Sequence, residues 1–318
     1  MWIKASGVTV EAASAKPLSP SSHHCENEIA RIRNTMAQLI ETLDAVIDGY
    51  STIFCDVWGV IHNGITPFPN AVEALTRARQ RGVKVILITN SPRPSQGVRE
   101  QLGAIGVSED AWDALVTSGD VTRELIRNAS RKVFHIGADR DLPLYDGLDV
   151  DLVEEYEATV VVCTGLFDDD TETPDDYAEL LQRLRARNLP LICANPDIVV
   201  ERGDRMIWCA GAIARDYGRL GGRTLIAGKP HHPIYDAALG SAASLAGRPV
   251  ERREVLAIGD GVLTDVKGAA DNGIDVLYVS GGIHAADYGE VMNPDPVRLA
   301  AFLEHHGYQP VAVIPRLG

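Results

Sequence analysis

STIFCDVWGVIHNG, residues 51–64, carries the clearest signal of how this chain folds. A short apolar run ends at the carboxylate Asp56, and Gly59 and Gly64 follow it. This order is typical of a buried strand that opens into a flexible turn. Because the carboxyl ends of strands in an α/β sheet face the crevice in which ligands bind, the stretch predicts that Asp56 lies at such a crevice.

Three later stretches repeat this pattern. VKVILITNS ends near Thr89 and Asn90, RTLIAGKP near Lys229, and EVLAIGDGVLTD near Asp260 and Asp265. Each combines an apolar run typical of a strand with polar groups at its end. We therefore expect four strand ends to bring carboxylates, a hydroxyl and an ammonium group to one place.

The expected cluster suits phosphoryl transfer, which depends mainly on positioning and charge stabilisation. Asp56 is the candidate nucleophile and first metal ligand. Asp260 is a candidate second ligand, because Mg²⁺ binds one or two carboxylates and takes waters and substrate oxygens for the rest. Asp265, about one helical turn further on, is placed to orient Lys229 or a metal-bound water. Lys229 is the candidate phosphate clamp.

Each of these residues also has a simpler interpretation when it is considered alone. Asp56 and Lys229 could be solvated surface charges, and Thr89 or Ser91 could cap a helix that starts near Pro92, since Ser and Thr dominate such caps. A cap does not exclude phosphate binding, because exposed amides at a helix start also bind phosphate oxygens. The occurrence of all four signals in one chain favours a phosphate site.

The pattern along the chain predicts an α/β fold with two domains. Residues 1–27 have linker composition, and we expect them to be disordered. Apolar residues at helical spacing over 28–48, followed by alternating strands and helices, predict a Rossmann-like core of residues 28–130 and 221–318. Residues 131–220 have their own alternation of strands and helices, and we expect them to form an inserted α/β domain.

Composition narrows the class of protein. The 318 residues are 45% hydrophobic and 23% charged, which is typical of a soluble globular protein. The net charge of −14 argues against nucleic-acid and anionic membrane partners, which need basic surfaces. Five widely spaced cysteines indicate neither a disulfide framework nor a zinc site, and no apolar run is long enough to span a membrane. We expect a cytoplasmic protein.

With these residues identified, the chain resembles class IIA of the haloacid dehalogenase superfamily, the branch that contains p-nitrophenyl phosphatases and ribonucleotide monophosphatases. The resemblance rests on DVWGV, ITNS, GKP and GDGVLTD in this order over residues 51–282. It implies a Rossmann-like core, an inserted class IIA cap domain at residues 131–220, Mg²⁺ as cofactor, and an aspartyl-phosphate intermediate on Asp56. The implied substrate is a small phosphorylated metabolite.

The resemblance also assigns roles to further residues. Thr89 and Lys229 are implied to bind phosphate, with Asn90 beside them, and the Trp58 backbone carbonyl is implied to join the metal ligands. Asn195-Pro196-Asp197 resembles a cap loop that reaches the active site, which makes Asn195 and Asp197 candidate substrate-binding residues. Arg202 and Arg205 follow this loop as further candidates.

Trp58 departs from the family pattern, which has a second aspartate at this position, two residues after the nucleophile. That acid normally protonates the leaving group and later activates water, and general acid–base catalysis contributes about 10²–10⁴-fold to rate. The substitution predicts a slow or selective phosphatase that favours acidic leaving groups, with the indole stacking on an aromatic substrate or excluding water. His62 is a candidate replacement acid/base because it is close in sequence.

Two other functions compete with a phosphatase. A binding or regulatory protein with weakened catalysis would retain the phosphate pocket, and Trp58 favours this alternative. A receiver-type signalling domain also combines an Asp, a Thr and a Lys, but the long insertion between Asp56 and Asp260 argues against it. The sequence does not identify the substrate, and it leaves open whether the protein forms a homo-oligomer.

Overall fold

The computed structural model describes residues 38–202 and 205–318. The expected disordered extension, residues 1–27, and most of the helix predicted over 28–48 lie outside these residues. The structure does describe the last part of the predicted helix, and there the prediction is wrong. Residues 38–49 contain a two-residue strand and two short 3₁₀ turns. Leu43 and Ile47 are buried as the helical spacing predicted, but the backbone of Gln38 and Leu39 pairs with a neighbouring strand instead of forming a helix.

The described residues alternate between strands and helices. The strands are β1 (Gln38–Leu39), β2 (Thr52–Cys55), β3 (Lys84–Thr89), β4 (Ala114–Thr117), β5 (Lys132–Ile136), β6 (Asp151–Leu152), β7 (Val160–Cys163), β8 (Leu191–Cys193), β9 (Val199–Arg202), β10 (Arg205–Trp208), β11 (Thr224–Ile226), β12 (Val255–Gly259), β13 (Asp275–Val279) and β14 (Ala312–Ile314). The helices are α1 (Pro69–Gln80), α2 (Ser95–Ala104), α3 (Ser118–Arg127), α4 (Ala178–Ala186), α5 (Ala210–Arg219), α6 (His232–Ala246), α7 (Lys267–Asp271), α8 (Ala285–Tyr288) and α9 (Pro296–His306).

The first sheet has seven strands in the order β1-β14-β13-β12-β2-β3-β4, and all neighbouring pairs are parallel. A hydrophobic cluster covers each face, which explains why its strands are almost wholly apolar. β2 lies between β12 and β3, with Cys55 opposite both Ile258 and Leu87. The carboxyl ends of these three strands therefore meet at one edge, directly before Asp56, Asn90 and Asp260.

The second sheet has five parallel strands in the order β11-β8-β7-β5-β6, and β9 and β10 form a separate antiparallel hairpin. This sheet has its own apolar clusters, built largely from residues between Ile136 and Tyr217. The fold is thus a Rossmann-like parallel-sheet core with an inserted α/β cap domain.

One strand differs from the sequence prediction. The run before Lys229 was expected to belong to the core, but Thr224–Ile226 pairs with Leu191–Cys193 in the second sheet. A three-residue apolar run carries no signal of which sheet it joins, because both sheets are parallel and buried. The second sheet therefore extends to Ile226, beyond the predicted cap boundary at residue 220, and Lys229 follows a strand of the cap.

The helices that follow Lys229 and Asp260 differ in regularity. α6 is continuous over His232–Ala246, whereas the segment after Asp260 is a π-helical turn, Val262–Val266, continued by α7. Within residues 38–202 and 205–318, no helix has both the length and the apolar character needed to cross a bilayer.

Candidate active site

Lys229 lies at the centre of a buried charge cluster at the carboxyl edge of the first sheet. Its Nζ donates hydrogen bonds to Asp56 Oδ1 at 2.5 Å and to Asp265 Oδ1 at 2.7 Å. Carboxylate oxygens of Asp56, Asp260 and Asp265 lie within 4.8 Å of one another. The side chains of all four residues are almost fully buried. The structure thus brings together the two acids, the lysine and the orienting aspartate that the sequence had scattered over 210 positions.

The electrostatics of this cluster show an excess of negative charge. Burial, together with the charge of Asp265, raises the pKa of Asp56 well above its ordinary value and that of Asp260 to about 7. Burial disfavours a charged Lys229, but Asp265 and Asp56 outweigh this effect and raise the pKa of Lys229 well above its ordinary value. The single ammonium group of Lys229 therefore neutralises only part of the negative charge of the three carboxylates.

Backbone amides hold two of these carboxylates in place. Gly261 N–H donates to Asp265 Oδ2 at 3.0 Å, and Ile283 N–H donates to Asp260 Oδ2 at 2.8 Å. Gly59, with a φ of +82°, lies so close to Asp260 that an added Cβ would be 2.2 Å from Oδ2. The Trp58–Gly59 turn therefore adjoins the acid cluster directly.

Asn90 connects Lys229 to the cap loop through its side chain. Its Oδ1 accepts from Lys229 N–H at 2.7 Å, and its Nδ2 donates to the Lys229 carbonyl at 3.1 Å and to Asp197 Oδ1 at 2.8 Å. These bonds give the Asn90 side chain a positioning role. That Asn90 also binds phosphate stays a prediction.

Thr89 ends β3 beside Asp56, as its place in the sequence predicted. The helix-cap alternative is wrong for both Thr89 and Ser91, because α2 begins later, at Ser95, with Pro94 as its N-cap. Thr89 Oγ1 instead accepts from Ser91 N–H at 3.2 Å, which shapes the turn after the strand. Its hydroxyl can still donate its own proton to a phosphate oxygen.

Trp58 is held by its own loop. Its ring stands edge-on to His62, with ring centroids 5.0 Å apart, and Gly64 lies under it. His62 is a poor replacement acid, since burial lowers its pKa to about 4 and its Nδ1 accepts from Gly64 N–H at 2.7 Å. The His62 hypothesis is therefore not supported.

The predicted cap loop reaches the core. Asp197 bonds Asn90 as described, and Asn195 Oδ1 accepts from Asp197 N–H at 3.1 Å. Burial raises the pKa of Asp197, although the Asn90 hydrogen bond acts in the opposite direction. Arg202 and Arg205 lie in the following hairpin, where both bond Asp170.

A cleft of about 590 Å³ opens onto the acid cluster. It contains Asp56, Lys229, Asp260 and Asp265 together with Thr89. The remaining lining includes apolar residues from the core and the cap, among them Phe68, Ile198, Val199, Ile226 and Leu263, and also the basic residues Arg215 and Arg316. The cleft can therefore hold a phosphoryl group at one end and an apolar or aromatic group beyond it.

Comparison with known proteins identifies the family. A model for haloacid dehalogenase-like hydrolases matches residues 53–151, and a HAD-hydrolase-like model matches residues 226–304. A crystal structure of a hydrolase of the haloacid dehalogenase-like family from Brucella suis is 61% identical, with a TM-score of 0.80, and the match covers 88% of this chain and all of that one. The chain belongs to the haloacid dehalogenase-like hydrolase family.

Curated members of the haloacid dehalogenase-like family are more distant. Haloacid dehalogenase-like hydrolase domain-containing protein 2 from Pongo abelii is 29% identical over 251 residues, which cover 77% of this chain and 89% of that protein. Ribonucleotide monophosphatase NagD from Escherichia coli is 24% identical over 243 residues, covering 74% and 89% of the two chains. NagD is a class IIA member, in agreement with the resemblance inferred from the motifs.

The donor set of this haloacid dehalogenase-like hydrolase fits a hard divalent cation. Asp56, Asp260 and Asp265 offer only oxygen atoms, which Mg²⁺ and Ca²⁺ prefer. The excess negative charge of the buried cluster is what such a cation would neutralise. The fit thus rests on the charge and spacing of the acids themselves.

Two residues of the cleft were missed by the sequence analysis. Ile283 supplies the amide that holds Asp260, and Arg316 donates to the Gly59 carbonyl at 3.1 Å while stacking on Phe68. Arg316 reaches the cleft because β14, a short run near the chain end, pairs with β13. The apolar run Val311–Ile314 before Pro315-Arg316 was the available signal.

Proposed function

We propose that this haloacid dehalogenase-like hydrolase is a Mg²⁺-dependent phosphomonoester hydrolase with Asp56 as its nucleophile. The observation that carries the proposal is Lys229 Nζ at 2.5 Å from Asp56 and 2.7 Å from Asp265, in a buried cluster that also contains Asp260. A cation between two acids at a ligand-binding strand edge suits the neutralisation of a bound phosphate.

Each residue has a defined part in the proposed reaction. A carboxylate oxygen of Asp56 forms a bond to phosphorus as the ester oxygen leaves, and water then hydrolyses the aspartyl phosphate to release inorganic phosphate. Lys229 and Thr89 hold the phosphate oxygens. Asp56, Asp260 and the Trp58 backbone carbonyl would hold Mg²⁺, which when bound neutralises charge on the phosphate. Asp265 keeps Lys229 in position.

Trp58 restricts the substrates of this reaction. Indole nitrogen donates a hydrogen bond but does not titrate, so the position that usually protonates the leaving group cannot do so. We infer that the enzyme favours leaving groups that depart as stable anions, such as those of aryl and acyl phosphates. The apolar residues that line the cleft suit an aromatic leaving group on a small phosphorylated metabolite.

The proposed enzyme is suited to a reducing cytoplasm. The four cysteines within the described residues, Cys55, Cys163, Cys193 and Cys209, are free thiols and all buried. None of them therefore depends on an oxidising compartment for a structural bridge.

Hydrolysis of p-nitrophenyl phosphate in Mg²⁺ tests the nucleophile. Asp56→Asn should lower the rate at least about 10³-fold, because it removes the attacking oxyanion. Asp236→Asn is the matched control, since Asp236 is exposed on α6 and should leave the rate unchanged. Equal rates for the parent and Asp56→Asn would refute the proposed mechanism.

The second candidate is a binding or regulatory protein that holds a phosphate ligand without useful turnover. Trp58 favours it, because the acid/base position is filled by a side chain locked against Gly64 and His62. This candidate predicts that inorganic phosphate binds with Mg²⁺ while neither aryl nor alkyl phosphates are hydrolysed. Asp56-dependent release of p-nitrophenol would exclude it.

A further inference from the structure

A smaller chamber of about 210 Å³ lies beside the cleft. The two cavities share Trp58, Thr89, Asp197 and Val200, so the chamber adjoins the place where a bound phosphate would lie. Its remaining walls carry three guanidinium groups, from Arg93, Arg140 and Arg202. We call this cavity the arginine chamber.

The three arginines come from separate segments and are held in place by acids and amides. Arg93 follows β3, and it donates to Gln101 Oε1 at 3.3 Å while its Nε lies 3.8 Å from Asp141. Arg140, in the 3₁₀ segment Asp139–Tyr145, bonds Asp169. Arg202 ends β9 and donates to both Asp169 at 3.3 Å and Asp170 at 3.2 Å.

Each arginine of this chamber keeps hydrogen-bond donors that are not used by its present partners. A guanidinium group has five N–H donors, yet the hydrogen bonds among the described residues use one nitrogen of each arginine. The acids in the walls already accept hydrogen bonds: Asp169 from two arginines, Asp197 from Asn90, and Asp141 from Thr164. A group rich in acceptors therefore complements the chamber.

We propose that the arginine chamber binds a carboxylate at the far end of the substrate, so that the enzyme acts on phosphate esters of small acids. This inference rests on the proposed function, because the phosphate itself must be held at Asp56. A planar carboxylate matches the paired donors of a guanidinium group. A second phosphate is disfavoured, because three arginines and three acids leave the chamber close to neutral, and burial of a larger charge there costs more desolvation than burial of a single carboxylate charge.

Binding of four small phenols tests the chamber without any need for catalysis. The probes are 3- and 4-hydroxybenzoate, each compared with its amide of the same shape, 3- or 4-hydroxybenzamide, by calorimetry. At least one acid should bind the parent about 10-fold more tightly than its amide, as expected for a charge-assisted hydrogen bond. Arg93→Gln and Arg202→Gln should each remove most of this preference.

Two controls keep the test specific. Arg215→Gln should keep the preference, since Arg215 lines the cleft but not the arginine chamber. Arg93→Lys retains the charge and should keep part of it, which separates loss of an anion site from a damaged fold. The proposed carboxylate site is refuted if the acids and their amides bind with equal affinity, or if neither binds. It is also refuted if the preference for the acid persists in Arg93→Gln and Arg202→Gln.

Hydrolysis of the corresponding phosphate esters separates the two proposals. If the acids bind more tightly than their amides but no ester is hydrolysed in Mg²⁺, the carboxylate site in the arginine chamber is supported and the proposed phosphatase function is refuted. If acid and amide esters are hydrolysed at equal kcat/KM and the phenols bind equally, the phosphatase stands and the arginine chamber fails.

Discussion

Trp58 lies two residues after the proposed nucleophile, at the position where the family resemblance implies a second aspartate. Its indole lines both the cleft and the arginine chamber, and Gly64 and His62 fix it from behind. A side chain held in this way provides a rigid wall for a substrate, but it cannot give or take a proton. At this one position the chain therefore presents an aromatic surface and no proton donor or acceptor.

Replacing Trp58 by aspartate should restore the missing acid. Turnover of alkyl phosphates, whose leaving groups need a proton, should rise about 10²-fold in Trp58→Asp, at the low end of general acid–base effects. Turnover of p-nitrophenyl phosphate should change far less, because its leaving group departs as a stable anion. Steady-state rates with glycerol 2-phosphate and p-nitrophenyl phosphate measure the difference.

Trp58→Phe is the control for this substitution, since it also removes the indole but supplies no acid. It should bring no gain with alkyl phosphates. If Trp58→Asp were equally inactive toward them, the account of the missing proton donor would be wrong.

His62 should make stability depend on pH. Its pKa is about 4 in the folded chain against an ordinary value of 6.5, because burial disfavours the charged ring. Between these values the unfolded chain binds the proton more readily, so stability falls as the pH drops from 6.5 towards 4. At pH 5 the loss from this residue is about 2 kcal/mol.

Urea unfolding at pH 7 and pH 5 measures this effect. His62→Asn keeps an acceptor for Gly64 N–H but cannot be protonated. Between the two pH values the variant should therefore lose about 2 kcal/mol less stability than the parent. Comparing the losses of stability of the two proteins cancels the contributions of other groups. Among these is His135, whose pKa burial also lowers. Identical losses in parent and variant would contradict the linkage.

At the scale of elements, the loop of residues 57–67 turns beneath the Trp58 ring at Gly64. Gly64 has a φ of +88°, and an added Cβ would lie 2.4 Å from the Trp58 ring. An L-residue in this backbone region is strained, and the clash adds to that cost. Gly64 therefore allows the chain to turn beneath the indole.

Gly64→Ala should lower the free energy of unfolding by about 1–3 kcal/mol, measured by urea denaturation. Gly240→Ala is the matched control, because Gly240 lies on the exposed face of α6 and an added Cβ would meet no atom within 4 Å. That change should stabilise the protein by about 0.5–1 kcal/mol. If Gly64→Ala were neutral, the loop would not hold Trp58 in the way described.

The elements around the site divide into those that the sequence could predict and those that it could not. The β2, β3 and β12 strands were predictable, because an apolar run that ends in a polar group has few other interpretations in an α/β fold. The role of Asn90 was not, since its bonds to Lys229 join residues 139 positions apart. It was likewise not predictable which sheet β11 joins, because that depends on its pairing with β8 and not on the local sequence pattern.

At the scale of the whole molecule, charge is distributed unfavourably for a protein without a bound cation. The chain carries a net charge of −14, and three buried carboxylates share one ammonium group at the carboxyl edge of the first sheet. Net negative charge raises the local concentration of cations around a protein, and the buried cluster gives them a specific site. Stability should therefore be linked to the cation.

Asp260→Asn should separate the destabilisation that the buried charges cause from the stabilisation that a bound cation provides. In EDTA the variant should unfold at a temperature several degrees above that of the parent, because it removes one ionised group whose pKa is raised to about 7, while the amide oxygen can still accept from Ile283 N–H. Mg²⁺ should then stabilise the parent, by about 2.7 kcal/mol at 100 times its Kd, and the variant much less. Thermal unfolding of both proteins and of Asp236→Asn, with NaCl of equal ionic strength as the salt control, measures both effects. An equal Mg²⁺ response in parent and Asp260→Asn would show that the cation binds elsewhere, because only a site that includes this carboxylate loses affinity with it.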